Sequence, residues 1–172
     1  MQKEYIEGLR SRYQKPFSMF FICATIAALA LYWINISLVN YFASGDSHEA
    51  AFFHQYWVLL QVCMLPFYAL ITYLFFINSG INYAETTVLQ LYVFSFLFLI
   101  LSLIHLLKFL APHLQTRYIE LPVILVYGII TNLNFFVAKH KLVIIIKTIL
   151  TIALSFLLAS FIQDMLVRNY KL

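Results

Sequence analysis

Five long apolar runs dominate the chain, at about residues 17–39, 56–76, 88–110, 121–137 and 142–162. Crossing a hydrocarbon core about 30 Å thick takes roughly 20 apolar residues in a helix rising 1.5 Å per residue. Four runs meet that length and the fourth in order falls slightly short. Lipid offers no partner for backbone N–H and C=O groups, so each run must satisfy its own as a helix. The expected fold is therefore all-α, a polytopic transmembrane bundle of about five spans.

Composition excludes the soluble alternative. Charged residues make up 10% of the 172 and hydrophobic ones 63%, where a soluble domain carries about 25% and 45–50%. There is too little polar side chain here to cover a water-facing surface. The net charge of +4 sits on flanks between apolar runs, where topology signals lie. Nucleic-acid binding would want a contiguous basic face and is not expected. Cys23 and Cys63 both fall inside apolar runs, so neither a disulfide framework nor a zinc site is readable. The first run is longer than a signal-peptide core of about 7–15 residues and reads as a retained helix.

Ahead of the first span, Tyr5, Leu9 and Tyr13 line one face of a possible interfacial helix over residues 1–16, with Arg10, Arg12 and Lys15 placed for lipid headgroups. Ala24 and Ala28 in span one, and Thr151, Ser155 and Ala159 in span five, are small residues spaced by four. Such stripes let helices approach closely, so both are expected packing seams. Pro66 falls in mid-span and Asn78-Ser79-Gly80 reads as a turn. Lys and Arg number seven on the side of residue 1 (3, 10, 12, 15, 139, 141, 147) and four on the other (108, 117, 168, 171). That bias puts the N-terminus in the cytoplasm and the C-terminus outside.

Few residues suggest chemistry. His105 is the one ionisable group well inside a span, and an ionisable group in the bilayer is costly enough to be a functional candidate. With Ser95 and Ser102 it covers roughly an 80° arc of span three; the plainer reading is a neutral His bonded to a neighbour or wetted at the boundary. Glu85, at the start of the same span, faces the membrane side of Arg10 and Arg12 and is expected to pair with one of them or to stay solvated. Asn132 and Asn134 point about 200° apart, so they cannot both line one path, and interhelical hydrogen bonding is expected of at least one. No phosphate-binding loop, nucleophile elbow, paired-aspartate or metal-ligand pattern occurs, and no cofactor or metal is expected.

Two stretches resemble a known family. Residues 5–17, with Gly8, Arg10, Arg12, Tyr13 and Pro16 leading into an apolar helix, resemble the start of a bacterial membrane family known as domain of unknown function 3667. Tyr83-Ala84-Glu85, ahead of Phe94, Phe96 and Phe98, resembles its second signature. The resemblance implies a multi-pass protein of the bacterial inner membrane and no particular reaction. The chain lacks the four-cysteine zinc ribbon that begins many members, and Thr86, Thr87 and Val88 stand where members often carry histidines.

Three functional classes stay open. A non-catalytic subunit or scaffold, binding lipids or partner helices as a homo- or hetero-oligomer, is expected from the small-residue seams and the lack of catalytic patterns. A small oligomeric transporter or channel would need polar residues along a path. A lipid-modifying enzyme would have to use Glu85, Arg10, Arg12 and His105.

Overall fold

A computed structural model describes residues 15–39, 48–107, 110–111, 114, 116–136 and 140–170. Five long α-helices account for nearly all of them: α1 Pro16–Val39, α2 His48–Phe75, α3 Tyr83–Leu106, α4 Arg117–Phe135 and α5 Lys141–Tyr170. No strand occurs among the described residues. Each helix is long and apolar enough to cross a bilayer, and the chain is a multi-pass membrane protein. The helices overrun several of the apolar runs. α2 begins at residue 48, α4 at 117, and α5 continues to 170, because a helix can continue past the hydrocarbon where water satisfies its last turns.

The helices pack as a ring with a buttress. α2 touches α3, α3 touches α4, α4 touches α5, and α5 returns to α2. The two diagonals, α2–α4 and α3–α5, make at most marginal contact. α1 lies outside this ring against α3 and α2. Consequently α3 is the most enclosed helix: 61% of its apolar stretch is buried, whereas the other four range from 17% to 39%.

Side chains follow this arrangement. α1 turns Phe20, Ala24, Ala27 and Leu31 toward a cluster with Leu65, Leu91 and Phe98. Its outer face carries Phe17, Phe21, Ile22, Leu29 and Trp33, apolar residues facing outward as lipid contact requires. Ala24 is buried, but Ala28 is exposed. The small-residue face of α1 therefore steps by three, from Ala24 to Ala27, and not by four. The reason is that 3.6 residues per turn make both steps near-neighbours, and the bulkier Phe20 and Leu31 select which one faces α3.

A second cluster gathers at the end of the bundle holding Pro16, residues 76–82 and residue 140, called the near end here. Phe76 stacks on Phe136 with ring centroids 3.9 Å apart, and Leu89, Val93 and Ile144 pack around them. Lys147 Nζ lies 5.5 Å from the Phe76 ring centre, close enough for a cation–π contact. The near-end turn between α2 and α3 is a 3-10 turn, Ile77–Ser79, closed by Gly80 at φ 78°. That left-handed backbone favours glycine, as the Asn78-Ser79-Gly80 reading anticipated.

Candidate functional site: a polar-ended cavity inside the ring

The open diagonals leave a cavity of about 440 Å³ between α2, α3, α4 and α5. Ligand pockets usually fall between 300 and 1,000 Å³, so the space is large enough for a small amphipathic molecule. Its origin is legible in the sequence. Gly128 on α4 and Thr151, Ser155 and Ala159 on α5 all line it, and the short side chains of the α5 stripe do not fill the ring's centre. Thr151 and Ala159 are buried and Ser155 is half-buried. The α5 stripe expected as a packing seam is thus a cavity wall. At Gly128 the helices do approach closely: a Cβ there would lie 2.9 Å from Ile152 Cδ1.

The cavity's near end is a layer of hydrogen-bonded amides and hydroxyls. Gln90 Nε2 donates to Thr72 Oγ1 at 2.8 Å, joining α3 to α2. The Thr72 hydroxyl in turn donates to the Tyr68 carbonyl at 2.8 Å. From this layer the Tyr68 side chain reaches along α2 into the middle of the cavity, where its Oη donates to Gln61 Oε1, also at 2.8 Å, and its ring stacks on Phe94 at 5.1 Å with planes 6° apart. On the opposite wall, Asn132 Nδ2 donates to Thr148 Oγ1 at 3.0 Å, joining α4 to α5. Asn134 is exposed, so one of the two asparagines forms the interhelical bond expected of them. Between the two ends, Phe94, Leu97, Phe98, Ile124, Ile152 and Phe156 supply an apolar belt.

The far end is different, because it is ionisable. His105 Nδ1 lies 3.0 Å from the Leu101 carbonyl oxygen and 3.5 Å from Glu120 Oε1. A carbonyl oxygen only accepts, so a hydrogen bond here needs the proton on Nδ1; Nε2 is then an acceptor in the neutral ring and a donor in the protonated one. Glu120 Oε1 is buried and receives no hydrogen bond from any described residue. Thr116, Gln163 and Ser160 complete this end. The two polar layers are separated by twelve residues along α4, from Glu120 to Asn132, or about 18 Å of helix.

The other sequence candidates are placed as follows. Ser95 and Ser102 are buried, but their hydroxyls donate to Leu91 and Phe98 carbonyls of their own helix at 2.6 and 2.7 Å. Buried hydroxyls with no partner across the interface commonly bond back in this way. Of the expected seam on α3, only His105 reaches the cavity. Glu85 closes a capping box: its N–H donates to Asn82 Oδ1 at 2.9 Å and its Oε2 accepts from the Asn82 N–H at 3.0 Å. Arg10 and Arg12, with the interfacial helix of residues 1–16 up to residue 14, lie outside the described residues. Sequence reasoning passed over Gln90, Tyr68, Thr72 and Glu120. Gln61, Tyr68 and Thr72 are seven and four apart, a one-face helical spacing that marks α2's inward side. Glu120 falls just outside the apolar run at 121–137, but α4 begins at Arg117 and carries it inward. Among the described residues no three His, Cys, Asp or Glu side chains converge as metal ligands would.

The chain matches no family model, no curated protein and no solved structure.

Proposed function

We propose that the protein is a non-catalytic membrane component that holds an elongated amphipathic molecule, a lipid or lipid-like compound, inside its helical ring. The observation carrying this reading is the cavity itself: a mostly apolar, aromatic belt, crossed by the Tyr68–Gln61 pair, with polar groups at each end. An apolar chain fits the belt, and a head group fits the polar far end, where acceptors remain available. Polar groups at each end with none charged at the near end suit binding without a reaction, because a reaction would need several convergent ionisable groups. A transport path is the second reading, favoured by polar liners at both ends of one continuous space. It predicts flux of the bound molecule across vesicles, which simple binding does not.

The same proposal includes the cellular setting. The two motifs at residues 5–17 and 83–85 support a tie to the domain of unknown function 3667 family, and with it the proposal of a bacterial inner-membrane setting. The seven-to-four distribution of Lys and Arg supports a cytoplasmic N-terminus. Partner helices or a second copy are expected against the apolar outer faces.

Native mass spectrometry of the protein released from mild detergent tests the binding reading. The unaltered protein should retain a bound molecule of lipid mass, and Ser155→Phe, which fills the cavity, should lose it. Equal retention by both proteins would place the bound lipid on the outer surface and end the proposal. A stoichiometric protein partner in the same spectrum would assign the scaffold role.

A further inference from the structure

The two ends of the cavity differ in what they ask of a ligand. At the near end, the Gln90 amide donates to the Thr72 hydroxyl, which donates to the Tyr68 carbonyl. At the far end two acceptors stand together. Glu120 Oε1 is buried with no hydrogen bond from a described residue. His105 Nδ1 lies 3.0 Å from the Leu101 carbonyl oxygen; with the proton on Nδ1 and the ring neutral, Nε2 is an acceptor. Among the described residues lining the cavity, Glu120 is the one formally charged side chain, and no Lys or Arg faces it. The one ionisable group beside Glu120 among the described residues is His105, 3.5 Å away; while that imidazole is neutral the partly buried carboxylate lacks a counter-charge, which a bound cation supplies.

We infer that the far end of the cavity selects a cationic amine head, with Glu120 as its counter-ion and His105 as a second acceptor. This rests on the reading of the cavity as the seat of an amphipathic molecule and specifies its class: a lipophilic amine. A primary ammonium brings three donors and no acceptor, the complement of a carboxylate and an imidazole lone pair. A hydroxyl head brings one donor and no charge. A carboxylate or phosphate head would meet Glu120 as a like charge. The amine's alkyl or aromatic body then lies along Phe98, Phe94 and Phe156, which line the belt beside this end. The aromatic faces there favour a cation over an anion as well.

Photo-labelling in phosphatidylcholine nanodiscs tests the assignment. Three probes share one dodecyl chain bearing a diazirine and differ only in the head: ammonium, hydroxyl or carboxylate. The expected result is labelling of peptides around Phe98 and Phe156, with the amine about tenfold more effective than the alcohol and the carboxylate weakest, as a charge-assisted hydrogen bond predicts. Glu120→Gln should abolish the amine's advantage over the alcohol, and an unchanged thermal unfolding of the variant in detergent shows that it is folded. A measurement needing no variant is competition in the unaltered protein, where unlabelled dodecylamine should displace the label about tenfold better than dodecanol. Equal labelling by all heads, equal competition, or an amine preference that survives Glu120→Gln would overturn the head assignment and leave the binding reading standing. Failure of every probe to label the cavity would overturn both.

Discussion

Asn132 is buried against Thr148 while Asn134, two positions later, is exposed. The difference is angular: residues two apart on a helix point about 200° apart, so only one can face the ring. An interhelical hydrogen bond of this kind is worth about 0.6 kcal/mol on average and up to ~1.7. A double-mutant cycle of Asn132→Ala and Thr148→Val, read from detergent unfolding, should return a coupling in that range, whereas Asn134→Ala should stay within about 0.5 kcal/mol of the parent. A coupling of zero would remove the α4–α5 bond from the account. Gly128 makes a second residue-scale case with two opposed terms. Alanine there gains about 0.5–1 kcal/mol of helix propensity, but its Cβ would meet Ile152 Cδ1 at 2.9 Å. That atom is the end of a flexible side chain, so the two effects should nearly cancel in Gly128→Ala. Removing the methyl first separates them. Gly128→Ala in an Ile152→Val background should stabilise more than Gly128→Ala alone, and the reverse order would show that backbone, not Ile152, limits the approach.

At the level of the helices, α3 owes its start to two residues. Asn82 and Glu85 exchange backbone-to-side-chain hydrogen bonds, satisfying two of the donors that a helix start leaves open. Asn82→Ala should therefore cost about 1 kcal/mol and speed hydrogen exchange over residues 83–86. Glu85→Gln should not, because a glutamine at this position accepts the same bond. Loss of protection in both variants alike would mean that the Glu85 charge, and not its hydrogen bond, sets the start. The helices themselves were legible from the sequence, since long uninterrupted apolar runs leave one backbone solution in lipid. Their ends were less so. α4 was placed at 121–137 because Arg117 and Glu120 read as loop residues, yet it starts at Arg117 and buries the Glu120 carboxylate oxygen. Hydropathy measures cost per residue and is blind to a polar group that turns inward. The same blindness hid Gln90, Thr72 and Tyr68, whose partners lie on another part of the chain or on another helix. The α5 stripe of Thr151, Ser155 and Ala159 was visible as a pattern, but small residues mark equally a close approach and a void. Only the open diagonals of the ring decide between them.

Across the whole molecule, the ring and its buttress give α1 and α5 different duties. α1 covers α3 from outside, and α5 closes the ring by returning to α2. Three of the ring's four seams carry an interhelical polar pair: Gln90–Thr72, His105–Glu120 and Asn132–Thr148. The fourth, between α5 and the end of α2, is held by Lys147 over Phe76. Five crossings put the two ends of the chain on opposite sides of the membrane, since each crossing reverses the direction. The basic residues carry the expectation for the side on which residue 1 lies. The sequence segments assigned to the side of residue 1 hold seven Lys and Arg and the others four, a bias that favours the richer side staying in the cytoplasm. A reporter active only outside the cytoplasm should therefore work when inserted just ahead of His48 or fused to the C-terminus, and fail after Lys139. A complementary cytoplasmic reporter should give the inverse pattern. If the C-terminal fusion and the insertion after Lys139 report the same side, α5 does not cross. The ring would then be open in the membrane and the cavity would lose its Thr151–Ser155–Ala159 wall. If every reporter instead inverts, the five crossings stand and the charge bias has been outweighed. The far-end Glu120 and His105 would then face the cytoplasmic leaflet, and any amine held there would have to enter from that side.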